Sequence, residues 1–197
     1  MSATKKSLAN HEVLTLAVYL LGGETQRIDT EDIAVKANEL APGRFAWKKY
    51  PDQINLELIR VYLSDAKKPG KGRYLAGSGN TGWMLSQRGL QFARAHARQF
   101  VGEDLSRPVV GAKTQQWIRR ERNRLLTDDA HQRFLRDGAE SVTRQQAEAF
   151  FRLDAYVTGD ARQTKILRIV NAFGEDPDLG GTVRALASKV QEPTDVK

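Results

Sequence analysis

Two three-residue apolar runs, Tyr74-Leu75-Ala76 and Trp83-Met84-Leu85, flank the turn Gly77-Ser78-Gly79-Asn80-Thr81-Gly82. Short strand-forming runs around a Gly/Asn-rich turn make an antiparallel hairpin. The other patterned stretches, one short extended piece apart, carry apolar residues at helical spacing. The fold class that follows is mainly α with a small β-hairpin, and the hairpin is inserted between two helices.

Before the hairpin, Val13, Leu16, Ala17, Leu20 and Leu21 put one apolar stripe on a helix over His11 to Leu21, which Gly22-Gly23 stops. Gln26 to Asp29 reads as a short extended piece. A second helix runs from Glu31 to Leu40, with Thr30 as its N-cap and Ile33, Ala34, Ala37 and Leu40 inward. Pro42-Gly43 ends it. Pro51 suits the first turn of a third helix, Pro51 to Lys67. Its apolar side holds Ile54, Leu58, Val61 and Tyr62, extended by Ile59, Leu63 and Ala66. Gln53, Glu57, Arg60, Ser64 and Lys67 share an arc of about 80°. After the hairpin Ser86 caps a fourth helix, Gln87 to Phe100, with Leu90, Phe92, Ala93 and Ala97 inward.

Charge is concentrated in the same half. The chain's net charge is +7, and residues 41–98 hold 11 basic against 3 acidic side chains, a net of +8. Residues 101–197 are close to balance, with 16 basic against 15 acidic. A basic surplus held in one segment favours a polyanionic partner.

The helix, short strand, helix, helix, hairpin, helix order is that of a winged helix-turn-helix, and Trp83-Met84-Leu85-Ser86-Gln87-Arg88-Gly89-Leu90 resembles the stretch that closes the wing in many winged-helix regulators. There a strand ends in Leu-Ser/Thr and Gly follows three residues later. The resemblance covers about residues 8–100, half the chain. It departs from the family pattern at Ala41 to Tyr50, which is longer than the usual tight turn between the second and third helices. The resemblance implies a DNA-binding domain with the third helix in the major groove and the hairpin beside the minor groove.

Residues 101–112 read as a Gly/Pro-containing linker, 113–190 as a helical dimerisation or interaction region, and 191–197 as a frayed tail. The helices expected there are Lys113 to Arg136, one opened by Thr143 with Gln146 completing a capping box, Ala161 to Phe173, and Leu179 to Val190. Arg119, Arg120, Arg122 and Arg124 cluster on the first of them. They read as a solvated face, a second phosphate-binding surface or a partner surface. The isolated apolar points Trp117, Ile118, Leu125, Phe134 and Leu135 suggest burial against a second chain.

Few constellations suit catalysis. Gly77 to Gly82 matches a dinucleotide-binding fingerprint to the letter, but that fingerprint must open a helix and here a strand follows. No cofactor is expected. His11, His96 and His131 lack ligand-spaced partners, and Glu175-Asp176-Pro177-Asp178 reads as a loop whose Asp178 caps the last helix, so no metal is expected. Cysteine is absent and no nucleophile–base pattern is visible, so the expectation is that the chain is not an enzyme. With no membrane-length apolar run and no signal-peptide pattern, the expected location is the cytoplasm.

The functional reading is a sequence-specific double-stranded DNA-binding protein, a homodimeric repressor-like transcriptional regulator joined through its C-terminal helices. Gln53 and Arg60 would read adenine and guanine edges. Ser64, Lys67, Lys68, Lys71, Arg73, Lys48 and Lys49 would hold phosphates, and Ser78, Asn80 and Thr81 of the hairpin turn would flank the duplex. Trp47, Tyr50 and Trp83 read as core or hinge packing in preference to base-stacking platforms. The alternative is a non-catalytic accessory subunit of a nucleic-acid-associated assembly, such as a phage-defence system.

Overall fold

The computed structural model describes residues 8–101 and 112–191. The chain divides into two compact units, Met1–Val109 and Val110–Lys197. Among the described residues no helix is long and apolar enough to cross a membrane.

The first unit runs α1 (Asn10–Leu20), α2 (Thr30–Leu40), α3 (Leu56–Ala66), β1 (Leu75–Ser78), β2 (Gly82–Leu85) and α4 (Gln87–Val101). Helix α1 is its axis. Every residue from Val13 to Leu20 is buried, because α2, α3, α4 and β2 all pack on it. The single stripe expected from the sequence is therefore too narrow. The hydroxyl of the fully buried Thr15 is satisfied by donating to the His11 carbonyl at 2.8 Å.

Strand β2 lies between two partners. It pairs antiparallel with β1 in the register Leu75↔Leu85, Ala76↔Met84, Gly77↔Trp83. On its other side Ile28 and Trp83 exchange backbone hydrogen bonds of 2.9 and 2.8 Å. The extended piece before α2 thus extends the hairpin by one bridged residue. Leu75, Trp83 and Leu85 join the core. Thr30, expected to cap α2, is its first helical residue, and its hydroxyl accepts from the Trp83 indole at 3.0 Å.

Helix α3 starts later than the pattern predicts. Asn55 is its N-cap, with the side-chain oxygen accepting from the Leu58 N–H at 3.1 Å, while the Asn55 N–H donates to the Phe45 carbonyl at 2.7 Å. Pro51 lies in the preceding loop. Ile59, Leu63 and Ala66 are fully buried, whereas Val61, expected inward, is 54% exposed.

The join between hairpin and α4 explains its own sequence. The Ser86 hydroxyl donates to the Arg73 carbonyl at 2.5 Å and accepts from the Gly89 N–H at 3.1 Å. Gly89 sits so close to the hairpin that an added Cβ would lie 2.0 Å from the Tyr74 carbonyl oxygen. Only glycine lets the first turn of α4 approach that backbone. The Tyr74 ring then stacks on Phe92 at 4.6 Å, and Phe92 on His96 at 4.3 Å.

The second unit comprises α5 (Ala112–Leu126), α6 (Asp129–Asp137), α7 (Arg144–Phe150), α8 (Gly159–Phe173) and α9 (Gly180–Gln191). Its core joins Leu125, Phe150, Phe151, Ile166, Phe173, Val183 and Leu186. The single helix expected over Lys113 to Arg136 is two. The Asp128 carboxylate accepts from the Ala130 N–H at 3.0 Å and starts α6 afresh. Thr143 and Gln146 form the expected capping box on α7. Ahead of α9, Asp176 rather than Asp178 takes the free N–H groups, those of Asp178 and Leu179 at 3.0 and 3.1 Å. Residues 102–111 of the expected linker and 192–197 of the expected tail lie outside the described residues, while Val101, Ala112 and Gln191 are helical.

Candidate nucleic-acid interface

Helix α3 presents one solvent face. Glu57, Arg60, Val61 and Ser64 are exposed at the three- and four-residue spacings that share a side of a helix. The opposite side carries the buried Ile59, Leu63 and Ala66, so packing into the core fixes which way the polar edge points. The Arg60 guanidinium is hydrogen-bonded to the Glu57 carboxylate one turn back. Gln53 precedes the helix and therefore does not belong to its face. It is exposed in the loop before α3, where its carbonyl accepts from the Trp47 N–H at 3.0 Å.

That loop is pinched shut. Ala46 and Ile54 form an isolated antiparallel bridge, Tyr50 N–H donates to the Trp47 carbonyl at 3.2 Å, and Gln53 N–H to the Tyr50 carbonyl at 3.1 Å. The fully buried Phe45 anchors its base and meets Tyr62 edge-on at 6.5 Å. Trp47, Lys48, Lys49 and Tyr50 all lie on the surface. This overturns the packing role expected for the two aromatics. Trp83, by contrast, is 2% exposed and does pack in the core.

At the other end of α3 a second basic loop begins. Lys68, Lys71 and Arg73 are exposed on a segment closed by hydrogen bonds from the Lys71 and Arg73 N–H groups to the Lys68 carbonyl, at 3.0 and 3.2 Å. Lys68 pairs with Asp65 at 2.7 Å. The hydrogen bond from Lys68 holds the Asp65 carboxyl below its usual range, with Lys68, Lys71 and His11 charges adding to it against slight burial. Among the described residues Lys48, Lys71 and Arg73 make no ion pair.

Lys67, one of the residues expected to hold phosphate, also bonds within the unit. Its ammonium donates to the Gly77 carbonyl at 2.5 Å and lies 5.8 Å from the centre of the Trp83 ring. It ties the end of α3 to β1. The hairpin turn is held from its other flank by Arg27, which sequence reasoning passed over. One Arg27 nitrogen donates to the Thr81 carbonyl at 3.0 Å, the Thr81 hydroxyl at 2.7 Å and the Gly82 carbonyl at 3.0 Å. Ser78 and Thr81 hydroxyls bond to each other at 2.8 Å, and Asn80 is exposed at the tip. These partners lie 54 and 55 residues further along the chain, so only the fold discloses the clamp.

The Arg119–Arg124 cluster divides in two. Arg124 donates to Glu121 at 2.7 and 3.0 Å, to Asp128 at 3.2 Å and to the Phe150 carbonyl at 2.8 Å. Arg122 binds Asp176 at 2.8 Å and Asp178 at 2.5 Å. These two hold the second unit together, and Arg119 and Arg120 remain on the surface. Asp176 illustrates the balance: burial alone would raise its carboxyl, but hydrogen bonds from Arg122 and from the N–H groups of Asp178 and Leu179 bring it below the usual range.

The geometry of the first unit is thus a rigid helix with an exposed polar edge, a lysine-bearing loop at each end and a clamped hairpin beside its C-terminus. The chain matches no protein-family model, no curated protein and no solved structure.

Proposed function

We propose that the first unit is a winged helix-turn-helix that binds double-stranded DNA, and that the protein acts as a homodimeric transcriptional regulator. One observation carries the reading: α3 exposes its polar edge between two basic loops. An 11-residue helix is about 16 Å long and the major groove about 12 Å wide. A helix seated in the groove therefore brings its two ends, and their lysines, to the flanking phosphates. Lys48 and Lys49 serve one end and Lys68, Lys71 and Arg73 the other, with Ser78 and Asn80 of the hairpin on the backbone. Arg60 reads a base after leaving Glu57, or brings Glu57 with it to accept from cytosine N4. Gln53 contacts DNA from the loop. Dimerisation through the second unit would match the protein to a two-fold site, and Leu135, 61% exposed on α6, is an apolar surface suited to it.

Fluorescence anisotropy with duplex DNA at several salt concentrations tests the reading. Binding weakens with a log–log slope of about −0.9 per neutralised phosphate. Lys71→Ala shallows that slope by about one on every sequence. Arg60→Ala weakens a selected site by about 1–3 kcal/mol and random duplex far less. Absence of salt-dependent duplex binding would sink the proposal. Val61, exposed at the centre of the α3 face, favours the second reading, an accessory subunit whose α3 docks on a protein. A stoichiometric protein partner released by Val61→Asp, without duplex affinity, would establish that instead.

A further inference from the structure

Trp47 and Tyr50 are 45% and 53% exposed on a loop that has no freedom to bury them. The Ala46–Ile54 bridge and the Trp47–Gln53 backbone bond fix its shape, and Phe45 pins its base in the core. Lys48 and Lys49 lie between the two rings in sequence, with the Lys49 ammonium 5.8 Å from the Tyr50 ring centre, and Asp52 is the loop's one carboxylate. Two rigid aromatic faces could serve either a protein or a nucleobase. Lysine decides between them, because it is depleted from the cores of protein–protein interfaces. Aromatic faces interleaved with cations are what unstacked nucleotides require: the ring takes the base and the ammonium the phosphate.

We propose that the Trp47–Tyr50 loop is a stacking platform for an unpaired nucleobase beside the duplex that α3 engages, so that the preferred ligand is a duplex carrying a single-stranded extension. The inference rests on the DNA-binding reading of α3. It adds a site at that helix's N-terminal end and a substrate class, the junction between paired and unpaired DNA. The loop is the long connection between α2 and α3, so its position relative to a bound duplex is set by the same backbone that starts the helix.

The test is an anisotropy titration of the full chain with a blunt duplex and with the same duplex carrying a short single-stranded extension at either strand end. The wild-type protein is expected to prefer one extended duplex by about 5- to 150-fold, the range of stacking one base. The Trp47→Ala, Tyr50→Ala double variant brings that ratio close to one while keeping its affinity for the blunt duplex. The Trp47→Phe, Tyr50→Phe variant, which retains flat rings, keeps most of the preference and so separates stacking from loop damage. Tryptophan emission gives an independent readout: the quenching caused by the extended duplex disappears in Trp47→Phe. No preference for extensions, or a preference that survives the double alanine variant, overturns the platform and leaves duplex binding by α3 standing. No binding to any DNA overturns both readings. A protein partner that shields Trp47 from iodide quenching while extensions do not also overturns it.

Discussion

The indole N–H of Trp83 donates to the hydroxyl of Thr30 across 3.0 Å, and both side chains are buried. This bond joins β2 to the first turn of α2. Thr30→Val keeps the shape and removes the acceptor, leaving a buried N–H unsatisfied. The expected cost is about 1–3 kcal/mol in urea denaturation, with Thr30→Ser close to wild type. Equal stability of the valine variant would show that the bond contributes nothing.

Gly89 and Gly79 make a matched pair. A Cβ at Gly89 meets the Tyr74 carbonyl oxygen at 2.0 Å, while at Gly79 it meets nothing within 4 Å. Gly89→Ala must push α4 off the hairpin and is expected to cost at least about 2 kcal/mol. Gly79→Ala changes stability by less than about 0.5 kcal/mol. Thermal melts of both variants check the contrast.

Arg124 and Arg119 separate structural from surface arginines. Arg124→Ala leaves Glu121, 5% exposed, with Arg152 at 3.2 Å as its remaining ion-pair partner, and strips the Phe150 carbonyl of a donor. A loss of roughly 2 kcal/mol is expected in denaturant titration. Arg119→Ala changes stability by less than about 0.5 kcal/mol. If the two variants matched, the internal role assigned to Arg124 would be wrong.

His131 sets a pH dependence. Burial pushes its imidazole below the ordinary value, against the pull of Asp128 and Asp178, and its Nδ1 lies 2.8 Å from the Thr182 hydroxyl. The folded state therefore holds the ring neutral where the unfolded chain takes up a proton. Its contribution is fully present above about pH 6.5 and falls as pH drops from there through the lower folded value. Comparing His131→Gln with wild type between pH 8 and about 5 should show a gap in stability that narrows towards acid. Carboxylates such as Asp176 act in a lower window, so the two effects separate on the pH axis.

Much of the fold was legible because helix periodicity and turn chemistry agree. The hairpin followed from apolar runs around a glycine-rich turn, and the Ser86–Gly89 spacing has a cause in the close approach to Tyr74. The start of α3 was obscured because Pro51 is a good first helical residue and the apolar pattern runs on through Ile54. Only the long-range bond from Asn55 to Phe45 reveals that the backbone there is already engaged. The break at Asp128 lacked a glycine or proline to mark it. Exposure of Trp47 and Tyr50 contradicted the ordinary tendency of aromatics to pack, and no local signal announces a loop that carries them outward. Lys67 reads as a phosphate contact and Arg27 is passed over, because their acceptors, backbone carbonyls and the Thr81 hydroxyl, are not displayed by composition.

The bridge between Ala46 and Ile54 makes the intervening residues an outgrowth sealed at its root. Length and sequence can vary beyond that seal without repacking the helices beneath it. Substitutions between the two bridged residues therefore act on the surface of this appendage while the scaffold stays unchanged.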